Sequence, residues 1–280
     1  MPSSAEGFAP ARTALAGNPS DGYGGAVLAL TLPELGAQAR AAPAERLSVA
    51  PDSELVRAVA ARLGATATIE WSTNVPTSVG LGGSSAIAIA VLRALDQRLH
   101  PVELARTALA IERQDLGIPG GRQDQVVQAH GGLVLMDFSD ERDVRVERLD
   151  PGLLPPLVVA WRERASEHSG IAHADLRRRY AHGDMPALAE LARQAARALR
   201  EGDHTAFADA VDQSYEHRVR MVALQPGHVE MIETARAAGA AANYSGSGGA
   251  IVAVCRDDEH RATVRAALEQ LGCRTLSAPA

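Results

Sequence analysis

The sequence predicts a globular chain of mixed strands and helices, divided once near its middle. Three observations predict it. Short apolar or alternating runs are interleaved with longer tracts of helical periodicity along all 280 residues. Hydrophobic residues make up 46% and charged residues 22%, as in a domain that buries an ordinary core. The stretch DPGLLPP, residues 150–156, breaks the periodicity and divides an N-terminal domain, 1–152, from a C-terminal one, 153–280.

The elements follow in order. Residues 11–16 read as a strand that stops at Gly17, and 26–32 as its hairpin partner. The connection, NPSDGYGG (18–25), is crowded with turn formers. Residues 53–63 carry Leu55, Val56, Val59 and Leu63 on one helical face, and 67–71 form a short strand. Residues 87–99 and 101–116 read as apolar helices, the second with Pro101 near its first turn. Strands are expected at 131–138, 143–149 and 157–161. Helices are expected at 173–181, 185–201, 205–221 and 229–238, the second with a stripe of Leu188, Leu191, Ala195 and Leu199. A strand–turn–strand around YSGSGG, a helix at 259–271 and a last short strand complete the chain.

Composition removes several classes of function. The net charge of −6 argues against broad binding to nucleic acid or anionic membranes. No apolar run approaches the ~20 residues of a membrane span, and the N-terminus does not read as a signal peptide. Two cysteines, Cys255 and Cys273, give neither a disulfide framework nor a cysteine metal site, and the histidines lack zinc spacing. A cytoplasmic enzyme fits best. All 28 basic residues are arginine, so any cationic role in a site falls to a permanently charged guanidinium.

The segment NVPTSVGLGGSSAIAIAVLRAL (74–95) is the richest in chemistry. Gly80, Gly82 and Gly83 let backbone approach a ligand, and Ser84 and Ser85 stand where a helix should begin, able to cap it or to face a metal or phosphate. The unpaired N–H groups and positive dipole at that end favour an anion, most simply a nucleotide phosphate. The spacing is neither a P-loop, which needs a lysine, nor a dinucleotide fingerprint. An ordinary glycine-rich turn ahead of a core helix has the same composition. Three further polar glycine segments accompany it: NPSDGYGG, GIPGGRQDQVVQAHGG (117–132) and YSGSGG (244–249). Several such loops together point to a binding function.

In this order the motifs resemble the GHMP kinases, small-molecule kinases named for galactose, homoserine, mevalonate and phosphomevalonate. ARTALAGNPSDGYGG stands where that family has its substrate-contacting strand and loop. PTSVGLGGSSA stands for the P-x-x-x-G-L-G-S-S-A motif around the ATP phosphates, and NYSGSGGA for the C-terminal glycine-rich loop. The resemblance spans residues 11–254. It is strongest with the glucuronokinase-like branch, which has GNPSD, a GLxGSSA motif with one extra residue, and QDxVxQxxGGLVxMDF, here QDQVVQAHGGLVLMDF. It implies an α+β fold in two lobes, the first similar to ribosomal protein S5 and the second ferredoxin-like, with ATP and substrate meeting between them.

The resemblance also implies roles. Asp124 takes the position of the catalytic carboxylate, acting as base or as electrostatic orienter of the acceptor hydroxyl; it also fits a helix N-cap ahead of VVQA. Arg12, the nearest cation of the first motif, stands where the mevalonate branch carries a lysine. It is placed to balance Asp124 or the transferred phosphoryl, and equally reads as a surface arginine. Pro76, Gly80, Leu81, Gly82, Gly83, Ser84, Ser85 and Ala86 are expected to hold ATP. Mg²⁺ is expected on Ser85, with Ser84 as the alternative that the inserted glycine allows, and on Glu112, which with Asp115 also reads as an ordinary i,i+3 acidic pair on a solvated helix face. Asn18, Ser20, Asp21 and Tyr23 suit sugar hydroxyls, or else an Asx-type turn. Ser169, His173 and Arg177 match a Ser-Gly-x-x-His-x-x-x-Arg pattern of the same branch, with Arg177 suited to a uronate carboxylate; a solvated basic helix is the plainer reading. Ser245, Gly246, Ser247 and Gly248 complete the substrate set.

The expectation is therefore an ATP- and Mg²⁺-dependent sugar kinase, monomeric or homodimeric, acting on the anomeric hydroxyl of a uronic acid or related sugar, with no nucleic-acid or membrane partner. A mevalonate-type or other small-alcohol kinase is the alternative within enzymes. A catalytically silent nucleotide or sugar sensor and a pure interaction module are the alternatives outside them.

Overall fold

The computed structural model describes residues 4–118, 120–140, 143–162, 184–221, 226–246 and 248–279. Contacts group the chain into two compact units, interleaved in sequence. The first comprises Met1–Arg12, Thr31–Pro76 and Gly82–Gly131; the second comprises Thr13–Leu30, Thr77–Leu81 and Gly132–Ala280. Strands β1 (Ala5–Ala16) and β2 (Ala26–Pro43) pair with each other, and each runs through both units.

In the first unit, residues 37–43 of β2 lie antiparallel to β4 (Ala67–Thr73), and β3 (Ser48–Ala50) adds to β4 in parallel. Four helices complete the unit: α1 (Glu54–Arg62), α2 (Gly83–Leu95), α3 (Pro101–Ala110) and α4 (Gln123–His130). Ser53 caps α1 by accepting from the Val56 amide, which leaves Val56, Val59 and Ala60 as its buried face. Helix α2 is apolar over most of its surface and correspondingly buried, from Ala86 through Ile89, Val91 and Leu92 to Ala94. At the start of α3 the His100 amide donates to the Glu103 carboxylate at 3.0 Å, with Pro101 at the first helical position. The tract expected as one helix over 101–116 changes pitch at residue 111. Residues Ile111–Asp115 form a π turn, closed by the Leu116 amide on the Ile111 carbonyl at 3.1 Å.

In the second unit, residues 26–30 of β2 lie antiparallel to β5 (Leu133–Asp137), which pairs with β6 (Arg145–Leu149). A second sheet has the order β10-β7-β9-β8, all antiparallel, from β7 (Leu157–Trp161), β8 (Ala241–Tyr244), β9 (Ala250–Val254) and β10 (Arg274–Ala278). The continuous apolar runs LVVAW and AIVAV take its two central places and are buried throughout. Among the described residues the unit also holds helices α5 (Met185–Glu201), α6 (His204–Met221), α7 (Pro226–Ala237) and α8 (Asp258–Gln270). Helix α5 buries Leu188, Leu191, Ala195 and Leu199, the stripe the periodicity picks out. With few aromatics, the core beneath β7–β9 rests on Ala, Val, Ile and Leu around Tyr244.

Several expected boundaries move. Helix α2 begins four residues before the expected 87, because Gly82 takes the left-handed conformation at its N-cap (φ +74°) and Ser84 and Ser85 fall inside the first turn instead of capping it. Strand β2 extends far past residue 32. Pro33 sits in it exposed, where a missing amide hydrogen costs the ladder little. The helix expected at 173–181 lies outside the described residues. Among the described residues no helix is long and apolar enough to cross a membrane.

Candidate active site

Within the first unit, β1, α2, the π turn and α4 bring four expected site residues together. Arg12, on β1, is almost fully buried and contacts one oxygen of Asp124, Oδ1, through Nε at 2.7 Å and Nη2 at 2.6 Å. Asp124 lies in the first turn of α4, whose N-cap is Arg122; the carboxylate therefore serves the ion pair and does not cap the helix. Its side chain keeps 28% exposure, while Arg12 keeps 4%.

Glu112 comes from the π turn. Its carboxylate is buried, accepts from the Ser84 hydroxyl at 3.1 Å through Oε1, and accepts from the Gln125 amide through Oε2. Burial above all, then the charge of Asp124, pushes its pKa up to about 7 against the opposing pull of these two hydrogen bonds. Three residues further on, Asp115 faces outward and pairs with Arg62 at 2.9 Å. The change of pitch thus sends one acidic residue inward and the other to the surface.

The two serines of the glycine loop divide their work. Ser84 reaches Glu112, whereas Ser85 is buried and donates to the Gly82 carbonyl at 3.1 Å. Of the two serines weighed as partners of Glu112, Ser84 is the one hydrogen-bonded to it, and the extra glycine of the loop directly precedes it. A Cβ on Gly82 would stand 2.8 Å from Nε2 of Gln128 and 3.2 Å from Cγ of Arg12, and at φ +74° an L side chain would be strained, so glycine suits this loop position. Pro76, Gly83 and Ala86 belong to the same unit.

The second unit gathers the first and third glycine motifs. Thr13 donates to the Ser245 hydroxyl at 2.9 Å, and the Ala14 amide to the Ser245 carbonyl at 2.9 Å. Asn18 Nδ2 donates to the Gly246 carbonyl at 3.1 Å, and Arg218 Nη2 to the same carbonyl at 2.8 Å. Asn243 secures the neighbouring strand through the Leu15 carbonyl at 3.1 Å. Ser20 is fully buried, with its hydroxyl on the Ala26 carbonyl at 2.8 Å; it shapes the turn that holds Asp21, buried, and Tyr23, exposed. Gly80 and Leu81 lie in this unit, as does Gly248. A Cβ on Gly249 would come within 2.7 Å of Val79 Cα. Ser169, His173, Arg177 and Ser247 lie outside the described residues.

Gln125, Gln128, Arg218 and Thr13 are the site-forming residues that sequence reasoning passed over. The glutamines had a signal: with Asp124 they recur at helical spacing inside the QDQVVQ segment. Among the described residues no cluster of three or more His, Cys, Asp or Glu forms a metal cage. A buried carboxylate with a raised pKa, a hydroxyl on one of its oxygens and a second carboxylate nearby is instead a donor set of the kind Mg²⁺ completes with substrate phosphates and water.

Residues 53–132 match the family model for the GHMP kinases N terminal domain, and residues 181–272 that for the GHMP kinases C terminal. Glucuronokinase 1 of Arabidopsis thaliana is 31% identical over 302 aligned positions, covering 88% of this chain and 83% of its own. Probable glucuronokinase 2 of the same plant is 36% identical over 208 positions, covering 67% of this chain and 57% of its own. Among solved structures, the phosphomevalonate kinase of Streptococcus pneumoniae shares the fold with a TM-score of 0.86 at 18% identity, over 98% of both chains.

Proposed function

This chain belongs to the GHMP kinase family and is an ATP-dependent sugar kinase within it, and we propose that its acceptor is the anomeric hydroxyl of a uronic acid, D-glucuronate first. The observation that carries the reading is the Arg12–Asp124 pair beside Ser84 and Glu112, in a chain whose relatives over most of its length are glucuronokinases.

Each residue has a task in that reaction. The first-turn amides of α2 and the flanking glycines hold the ATP phosphates at the positive end of the helix. Ser84 and Glu112 would hold Mg²⁺, which when bound neutralises phosphate charge. Asp124 accepts the proton of the acceptor hydroxyl or orients it for in-line attack on the γ-phosphorus. Arg12 fixes the Asp124 carboxylate and supplies a permanent positive charge where negative charge develops on the phosphoryl oxygens. Asn18 and the Ser245–Gly246 backbone, held together by Thr13 and Arg218, supply the polar groups that bind sugar hydroxyls.

The test is ADP release with Mg-ATP against glucuronate, galacturonate, galactose, arabinose, glucose, a heptose phosphate and mevalonate, with the product's phosphorus resonance read for an anomeric ester. Turnover on a uronate with an anomeric product supports the reading. Turnover confined to a neutral hexose or to mevalonate overturns the acceptor, and absence of any ATP use overturns the function.

A further inference from the structure

We propose that Gln128 is a positioning residue of this kinase: a buried amide that sets the glycine loop and the first turn of α2 against the Arg12–Asp124 pair. The inference rests on the reading of that loop as the ATP-phosphate site.

Gln128 is one turn beyond Asp124 on α4, on the same face, and is fully buried. Its Nε2 donates both hydrogens to backbone carbonyls, Gly82 at 2.8 Å and Pro10 at 2.9 Å. Gly82 is the N-cap of α2, and Pro10 stands two residues before Arg12 on β1. One side chain therefore joins the three elements that carry the phosphate-facing helix end, the catalytic arginine and the catalytic aspartate. The orientation of the amide is dictated by chemistry, since the reverse would set its oxygen against two carbonyl oxygens.

The Gly82 carbonyl is the point of attachment. Besides Gln128 it receives the Ala86 amide at 3.0 Å, the first hydrogen bond of the helix, and the Ser85 hydroxyl at 3.1 Å. Three donors on one carbonyl fix the plane of the peptide that leads into the first turn, and with it the direction of the amides there. The cost is visible at the other end of the amide. Gln128 Oε1 is buried with no hydrogen-bond partner among the described residues. A buried acceptor left unpaired is costly, and packing alone gives no reason to place an amide here. What only the amide offers is its pair of donors.

The variant Q128M keeps the length and removes both donors. Q128N keeps an amide but falls one methylene short of both carbonyls, and guards against a packing failure in the first. Amide hydrogen exchange of the nucleotide-free protein reads the attachment directly. Exchange at residues 83–86 should quicken about tenfold in either variant, while α3 and β4 keep their protection. Calorimetry with Mg-ADP should show an affinity loss of about fivefold to tenfold, and kinetics a rise in KM for ATP with KM for the sugar unchanged. Unchanged exchange at 83–86, or a uniform increase throughout the unit with unchanged Mg-ADP affinity, overturns the proposal. If the parent protein itself fails to bind Mg-ADP, the phosphate-site reading falls, and the exchange result still decides whether Gln128 anchors the loop.

Discussion

Arg12 and Asp124 form a close ion pair within the first unit. The guanidinium meets Oδ1 at 2.7 Å from Nε and 2.6 Å from Nη2. The arginine side chain is 4% exposed and the carboxylate side chain 28%, so the pair fixes Asp124 from its buried side and leaves the carboxylate reachable. Arg12→Gln should lower turnover by at least about a hundredfold, the scale seen when one charge-stabilising donor is removed from a transition state. Steady-state kinetics beside a melting curve check this, with the melting temperature moving by only a few degrees.

Glu112 makes the apo protein sensitive to pH. Its pKa rises from 4.5 to about 7 on folding, so the folded chain holds this proton more tightly than the unfolded chain. The sign follows. Stability attributable to Glu112 is full below pH 4.5, falls as pH rises toward 7, and levels off above it at a cost of roughly 3 kcal/mol. Glu112→Gln should therefore raise the melting temperature at pH 8 in the absence of divalent metal, and change it little at pH 4.5. Thermal unfolding of both proteins across that range is the measurement; an equal difference at every pH contradicts the assignment.

Neighbouring serines should separate cleanly. Ser84→Ala removes the hydroxyl beside Glu112 and should lower kcat and raise the Mg²⁺ concentration needed for half-maximal rate. Ser85→Ala removes a hydrogen bond to the Gly82 carbonyl and should cost about 1 kcal/mol of stability while leaving the Mg²⁺ requirement alone. A Mg²⁺ titration of initial rates tells the two apart.

Asn18 belongs to the other unit and should affect the other substrate. Asn18→Ala loses the donor to the Gly246 carbonyl, so the sugar KM should rise by about tenfold or more while calorimetric affinity for Mg-ADP stays within about twofold. A parallel loss of nucleotide affinity contradicts this division of labour.

Much of this was legible before the structure, for physical reasons. The α5 stripe and the β7 and β9 runs are legible in the sequence because hydrophobic periodicity reports burial directly. The order of three glycine motifs pointed to the family, which the comparisons establish. Other features depend on backbone geometry that composition does not encode. The left-handed turn at Gly82 advances α2 and moves Ser84, not Ser85, to Glu112. The π turn at Ile111–Asp115 rotates Glu112 inward within a tract whose sequence reads as one uniform helix. Gln125, Gln128 and Arg218 went unassigned because their partners are backbone carbonyls or a distant carboxylate, and neither leaves a mark in local sequence.

The central claim is that Asp124 is the carboxylate that serves the acceptor hydroxyl. Its most direct test is Asp124→Asn, measured for ADP release with Mg-ATP and glucuronate and, on the same preparation, for Mg-ADP binding. Turnover reduced by at least about a hundredfold, with nucleotide affinity within about threefold of the parent, is the predicted result. Turnover that survives the substitution contradicts the account.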